Sequence, residues 1–298
     1  MSLPKPKVRL YPASNPPQKE FAKVPVLCAE NLCFAYKEKP VLKDVSFEVA
    51  KGSFTAVIGP NGCGKTTLVK ALLKSLNPDS GTICILGKDL QNLSNKDLSQ
   101  SMAAVLQTID PAPMDVRDYV LLGRMPFFAP FQFFESTKDL EIAENYMKLT
   151  GTHHLADKKI TQVSGGERQL CAIARALTQE PVLLLLDEPT AHLDITHQKR
   201  ILDLITTLKN KLSLTVLMVL HDLNLAAEYA DRLVLLHDIC GQPKDNTSSI
   251  YAFGNPQTVL TREAIEAVYQ TKVTVRPNPI SGNPLILLTK DETTHEAI

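Results

Sequence analysis

Nine consecutive residues, Gly59-Pro-Asn-Gly-Cys-Gly-Lys-Thr-Thr67, set three glycines ahead of a lysine and two hydroxyls in the spacing GxxxxGK[ST]. Glycines at Gly59, Gly62 and Gly64 let the backbone curl until its N–H groups, including those of Pro60-flanking Asn61, face one point. The start of a following helix adds its own free N–H groups. Lys65 contributes a point charge and Thr66 a hard oxygen ligand, with Thr67 beside it, so the loop is built to hold nucleotide phosphates and a magnesium ion. Cys63 reads as a small filler rather than a reactive thiol, because nothing in the sequence marks a lowered pKa. A second chemical feature is Val182-Leu-Leu-Leu-Leu-Asp187-Glu188, an apolar run ending in two adjacent carboxylates. A core rejects such a pair unless it projects from the strand end into a site. There Asp187 is suited to hold magnesium, directly or through water, and Glu188 to orient and deprotonate the water that attacks a γ-phosphate. A third is Val163-Ser164-Gly165-Gly166-Glu167, where a serine cap and two glycines open a helix whose N-terminus suits an anion.

These residues need elements to hold them. Leu27–Tyr36 and Val41–Val49 alternate in polarity on either side of a charged turn and predict an antiparallel hairpin. Phe54–Ile58 reads as the buried strand before the phosphate loop and Lys65–Leu76 as the helix after it, with strands at Thr82–Leu86 and Ala103–Leu106. From about 110 to 162 the pattern changes: helical stretches at Asp115–Gly123 and Lys138–Thr150 flank the aromatic, proline-containing Met125–Phe134 and predict an all-helical insertion. Helix Gly165–Gln179, strand Val182–Leu186, helix Thr196–Lys211, strand Leu214–Leu220, helix Leu223–Ala230 and strand Arg232–His237 then repeat the order that builds a mostly parallel sheet. Gln242–Ser249 reads as a long hairpin tip, followed by Ile250–Phe253, helix Arg262–Tyr269 and two short strands. Residues 1–24 hold five prolines and five basic side chains against the single acid Glu20, and predict a disordered tail.

Composition narrows the function. In 298 residues, 32 basic side chains balance 32 acidic ones, so charge does not suggest a nucleic-acid partner. No apolar run approaches the roughly 18–20 residues that span a bilayer. The N-terminus lacks a signal-peptide layout, and the six cysteines show no CxxC or metal-ligand spacing, which fits buried thiols in a reducing cytosol.

The order of the phosphate loop, Gln107, Ser164–Glu167, the leucine-rich Asp187-Glu188, Ala191-His-Leu-Asp194 and His221 closely resembles the ATPase subunits of ABC transporters over roughly Leu27 to Phe253. The resemblance implies a P-loop NTPase (RecA-like) α/β core with an antiparallel β subdomain and an inserted α-helical subdomain. The ATPase domain would span 25–254, with its helical part at about 110–162, and 255–298 would be a C-terminal helix and short strands packed on it. ATP and magnesium would be the cofactors. By this resemblance Tyr36 stacks on adenine, Gln107 links magnesium and water to the transport subunit, and His221 contacts the γ-phosphate. Lys65 and Glu188 complete the catalytic set, with Thr66, Gln107 and Asp187 around the metal. Ser164, Gly165, Gly166 and Glu167 would meet the ATP held by an opposite cassette. Singly, each has a structural reading: Tyr36 as a strand aromatic, Gln107 as a strand end, His221 as the neighbour of a helix cap. Val163 and His192 depart from the family's commonest residues, Leu and Ser or Gly, without removing a catalytic group.

The run Val116-Arg-Asp-Tyr-Val-Leu-Leu-Gly-Arg-Met-Pro126 and the tail Val259–Tyr269 resemble the importer subfamily that handles iron–siderophore complexes, haem and cobalamin. Its residues are also those of an amphipathic helix with a buried face. The resemblance implies a homodimer of cassettes on separate transmembrane permease subunits, with a substrate-binding protein acting indirectly. It places the chain as a peripheral subunit on the cytoplasmic face of the inner membrane. Iron(III)–siderophore uptake is the first reading, cobalamin or haem import the alternative. A soluble ABC ATPase outside transport is the reading of a different class, disfavoured by the single cassette and neutral charge.

Overall fold

An apolar run that does not alternate must be covered on both faces, as in a parallel sheet packed between layers. The computed structural model, which describes residues 25–37, 39–107, 113–191, 193–238 and 247–289, has this arrangement. The expected N-terminal tail, Glu38 in the charged turn, Asp110 to Ala112, His192, Cys240 and most of the 242–249 tip lie outside the described residues.

In chain order the elements are β1 (Leu27–Tyr36), β2 (Lys39–Val49), β3 (Phe54–Ile58), α1 (Lys65–Leu72), β4 (Ser80–Ile85), β5 (Lys88–Asp89), α2 (Asn95–Ser101) and β6 (Met102–Val105). They continue with α3 (Val116–Leu121), α4 (Thr137–Thr150), α5 (Gly165–Leu177), β7 (Leu183–Asp187), α6 (Ile195–Leu212), β8 (Thr215–Val219), α7 (Leu223–Tyr229) and β9 (Arg232–Asp238). The chain ends in β10 (Ser248–Gly254), α8 (Pro256–Val259), α9 (Arg262–Tyr269), β11 (Val273–Pro277) and β12 (Pro284–Leu288).

Ten strands form one sheet in the order β5-β4-β1-β2-β10-β9-β3-β8-β7-β6. The half from β9 to β6 is parallel throughout. The remaining pairings are antiparallel, including that of β10 with β9, except for a parallel bridge between Ser248 of β10 and Leu42 of β2. Successive residues of the central strands point into two different cores: Leu184 and Leu186 into one with α5 and α6, Leu183 and Leu185 into the other with α1 and the β1–β2 hairpin. Double cover of this kind is what an unbroken Leu183–Leu186 run encodes.

Several elements differ from their sequence-based bounds. Helix α1 stops at Leu72 rather than Leu76, because Lys74 turns into the left-handed region at φ 58° and its ammonium caps the carbonyls of Gln91 and Leu93. Helix α2 had no counterpart in the pattern, since only Leu98 of its seven residues is buried. The stretch expected as one helix over Asp115–Gly123 changes after Leu121 to a 3-10 helix, Leu122–Phe127, which contains Pro126. Gly123 lies so close to α5 that a Cβ there would fall 2.1 Å from the Arg175 carbonyl. Among the described residues between β6 and α5 only helical elements occur, tied at their base by an Asp115–Lys159 bridge. No helix is long and apolar enough to cross a membrane among the described residues.

Candidate functional site

Strand β3 delivers the phosphate loop and α1 receives it. Gly59 at φ 153° and Gly62 and Gly64 at about 81° occupy backbone space that side chains avoid. At Gly59 a Cβ would sit 2.6 Å from the Leu236 carbonyl and 2.7 Å from Cys63 Sγ; at Gly64 it would meet Leu42 Cδ2 at 2.8 Å. The loop is therefore wedged between β9 and the β2 hairpin. Lys65 is buried, and its ammonium donates to the carbonyls of Gly59 and Pro60, 2.8 Å each, bracing the curl from within. Cys63 is buried too, and desolvation pushes its thiol up, so it is not a nucleophile in waiting.

A cavity of about 620 Å³ opens over this loop. Asn61, Gly62, Gly64, Lys65, Thr66 and Thr67 line it from the loop, Tyr36 and Val41 from the hairpin, and Gln107, Glu188, Ala191 and His221 from the ends of the parallel strands. The half-exposed Tyr36 ring is held edge-on by Phe34, centroids 4.8 Å apart. Glu188 follows β7 in a left-handed turn, φ 51°, a backbone cost that sites of chemistry tolerate. One carboxylate oxygen accepts from Gln107 Nε2 at 2.8 Å, and the other pairs with His221 Nε2. Residues from two strand ends, Gln107 after β6 and His221 after β8, thus converge on the carboxylate at the end of a third.

Asp187, one residue earlier, is buried, and its Oδ1 has no hydrogen-bond partner among the described residues. Burial and the neighbouring Glu188 charge both raise its pKa, only partly offset by Lys65. A carboxylate so placed lacks positive charge, and a divalent cation near the Thr66 hydroxyl would supply it, so the residues fit magnesium.

Ser164 caps α5 as a capping box: its Oγ accepts from Glu167 N, and Glu167 Oε2 accepts from Ser164 N and Oγ at 2.9 and 2.8 Å. The same bonds, that from the Ser164 backbone first, hold the Glu167 carboxyl below its ordinary range. Ser164 and Gly165 are exposed, yet none of Ser164–Glu167 lines the cavity. Gly59, Pro60, Cys63 and Asp187 likewise support the cavity rather than line it. Val41 and Ala191 line it and were not assigned from sequence. Ala191 stands in the quoted Ala191–Asp194 motif, whereas Val41 is placed only by the hairpin's packing on Gly64.

Comparison with known proteins decides the family. Residues 42–191 match the family described as ABC transporter, a span that contains the phosphate loop, Gln107, Ser164–Glu167 and both acids. The chain belongs to the ABC transporter family. Among its curated relatives, the ferric enterobactin transport ATP-binding protein FepC of Escherichia coli K12 is 35% identical over 88% of this chain and 93% of its own length. The petrobactin import ATP-binding protein FpuD of Bacillus anthracis is 35% identical over 87% of this chain and 91% of its own. A transporter in an inward-facing conformation, described as of the metal-chelate type, superposes with TM-score 0.75 at 30% identity, over 89% of this chain and 98% of its own. The cassette MJ1267 in its ADP conformation gives TM-score 0.72 at 27% identity, over 83% and 99%. This ABC cassette accordingly has the P-loop NTPase fold, binds ATP, and is an ATPase coupled to transport.

Proposed function

We propose that this cassette energises the import of iron(III)–siderophore complexes. The observation that carries the hydrolytic half is the Glu188 carboxylate, held at the mouth of the phosphate loop by Gln107 and His221. The cargo is supported by relatives such as FepC and FpuD, which are matched over about nine-tenths of their length.

In this reading ATP lies in the cavity with its adenine against Tyr36 and its phosphates on the Gly59–Thr67 amides. Lys65 exchanges its loop carbonyls for phosphate oxygens. Glu188 takes the proton of the attacking water, while Gln107 and His221 fix which carboxylate oxygen faces it. Thr66, Gln107 and Asp187 would hold magnesium, which would supply positive charge against the phosphates. Ser164–Glu167 close over the nucleotide of a second copy, so two cassettes clamp together on ATP and part after hydrolysis. Transmembrane permease subunits docked by the helical part convert that cycle into movement, and a binding protein delivers cargo to them. The chain then sits peripherally on the cytoplasmic side of the membrane, residues 25–254 forming the cassette and 255–298 its appended end.

Replacing Glu188 tests the base. Glu188→Gln should lower ATP turnover by roughly 10²–10⁴-fold and leave an ATP-bound dimer visible by sedimentation. Turnover at the wild-type rate would remove Glu188 from its role. For cargo, the cassette reconstituted with its permease and binding protein should show ATPase stimulated by ferric siderophore and not by haem or cobalamin; stimulation by one of the latter alone would reassign it.

A further inference from the structure

Gly166 is the second residue of α5, and its φ is not in the left-handed region, so backbone conformation does not explain a glycine there. Space does. A Cβ at Gly166 would fall 2.5 Å from His197 Cδ2 and 3.2 Å from both Cγ and Nε2 of the same ring. The His197 imidazole, carried on the first turn of α6, occupies the volume that an alanine methyl at 166 would take. A Cβ at neighbouring Gly165, which is exposed, would meet nothing within 4 Å among the described residues.

The ring is fixed from its other side. His197 Nδ1 lies 2.9 Å from each Asp194 carboxylate oxygen, and Asp194 Oδ1 also accepts from the His197 backbone N–H at 2.8 Å, capping α6. These same bonds, the backbone one first, hold the Asp194 carboxyl below its ordinary value. A continuous chain of contacts therefore runs from Asp194, in the segment that leaves Glu188, through the imidazole to the N-terminus of α5. Neither Asp194 nor any of Ser164–Glu167 lines the cavity over the phosphate loop.

We propose that His197 is a positioning residue that locks Asp194, at the start of α6, to the Ser164–Glu167 helix start, so that both are presented to the opposite cassette as one rigid surface. The inference rests on the two-cassette reading above and deepens it. A ring wedged against a glycine and tethered at Nδ1 transmits displacement in either direction: a shift of the segment after Glu188 moves Gly166, and pressure on Gly166 moves Asp194. Hydrolytic residues of one chain are in this way tied to the surface that completes its partner's site.

The full chain carrying Glu188→Gln provides the test, with magnesium–ATP as the probe and sedimentation as the readout. Adding His197→Ala should weaken ATP-dependent dimerisation by about tenfold, while ATP binding by the monomer and the melting temperature stay unchanged. In the hydrolysing background the same change should raise the ATP concentration for half-maximal turnover more than it lowers the maximal rate. Gly166→Ala should weaken dimerisation as well, because its methyl collides with the ring. Joining it to His197→Ala, which vacates the space, should cost less than the sum of the two. If Glu188→Gln does not dimerise on ATP, the two-cassette reading itself falls. If it dimerises and His197→Ala leaves the affinity unaltered, or the two substitutions add fully, the reading stands and the role given to His197 is wrong.

Discussion

A side chain at position 59 has nowhere to go. Its Cβ would lie 2.6 Å from the Leu236 carbonyl, a fixed atom of β9, and the φ of 153° is itself one that L residues avoid. Gly59→Ala should therefore cost about 1–3 kcal/mol of stability and weaken ATP binding together, measured by thermal melting and nucleotide titration. Gly165 is glycine for a different reason, since open space surrounds it. Gly165→Ala should melt as the wild type does and yet turn over ATP more slowly, because its methyl projects from the surface that the proposed two-cassette reading offers to the second nucleotide. A destabilised Gly165→Ala chain would contradict this division. The sequence pattern showed both glycines, Asp187 and Glu188 because each stands in a motif whose residue types and spacing are local, although the contacts of Gly59 with Leu236 and of Glu188 with Gln107 and His221 are not. It could not show His197 against Gly166, nor Val41 against Gly64, since each contact depends on two elements packing after the chain has folded.

Between elements, one tie that holds the helical part to α5 is Arg124. Its buried guanidinium donates Nε to Asp139 Oδ1 at 3.0 Å and Nη1 to the Thr178 carbonyl at 2.6 Å, and Nη1 also pairs with Glu180 at 3.2 Å. The Phe127 ring covers it at 4.1 Å. Sequence marked Arg124 only as part of a run resembling an importer subfamily, because its partners come from α4 and the end of α5. Removing one member of a buried pair leaves the other uncompensated, so Arg124→Ala should lose about 3–5 kcal/mol in denaturant unfolding. Burial opposes ionisation of Asp139, but bonds from Ser136 and Arg124 outweigh it and hold the carboxyl below its ordinary value of 3.8. Its contribution is complete above about pH 4 and is lost as pH falls through the lowered folded-state value. The stability gap between wild type and Asp139→Asn should accordingly narrow below about pH 4; a gap constant down to the acid transition would show that the charge contributes nothing. Helix α2 was legible in principle: Ser94 accepts from Asp97 N, a cap followed three residues on by an acid, but its polar length hid the pattern.

For the molecule as a whole, the decisive geometry is the separation of the phosphate-loop cavity from the Ser164–Glu167 helix start. The cavity gathers residues of the phosphate loop, the hairpin and three strand ends, and includes none of Ser164–Glu167. In the proposed two-cassette reading one chain holds a nucleotide and offers its exposed helix start to a different one, and 32 charges of each sign give copies no net repulsion to overcome. Turnover by the isolated chain should consequently depend on encounter. Specific activity should rise with protein concentration at saturating ATP, level off where the dimer dominates, and fall again on dilution, while ATP binding per chain stays constant throughout. Activity per chain that did not change on dilution would mean that one copy suffices, and Ser164–Glu167 would then be only the cap of α5. The fall on dilution should disappear once permease subunits hold two copies side by side, because tethering replaces encounter with a high effective concentration.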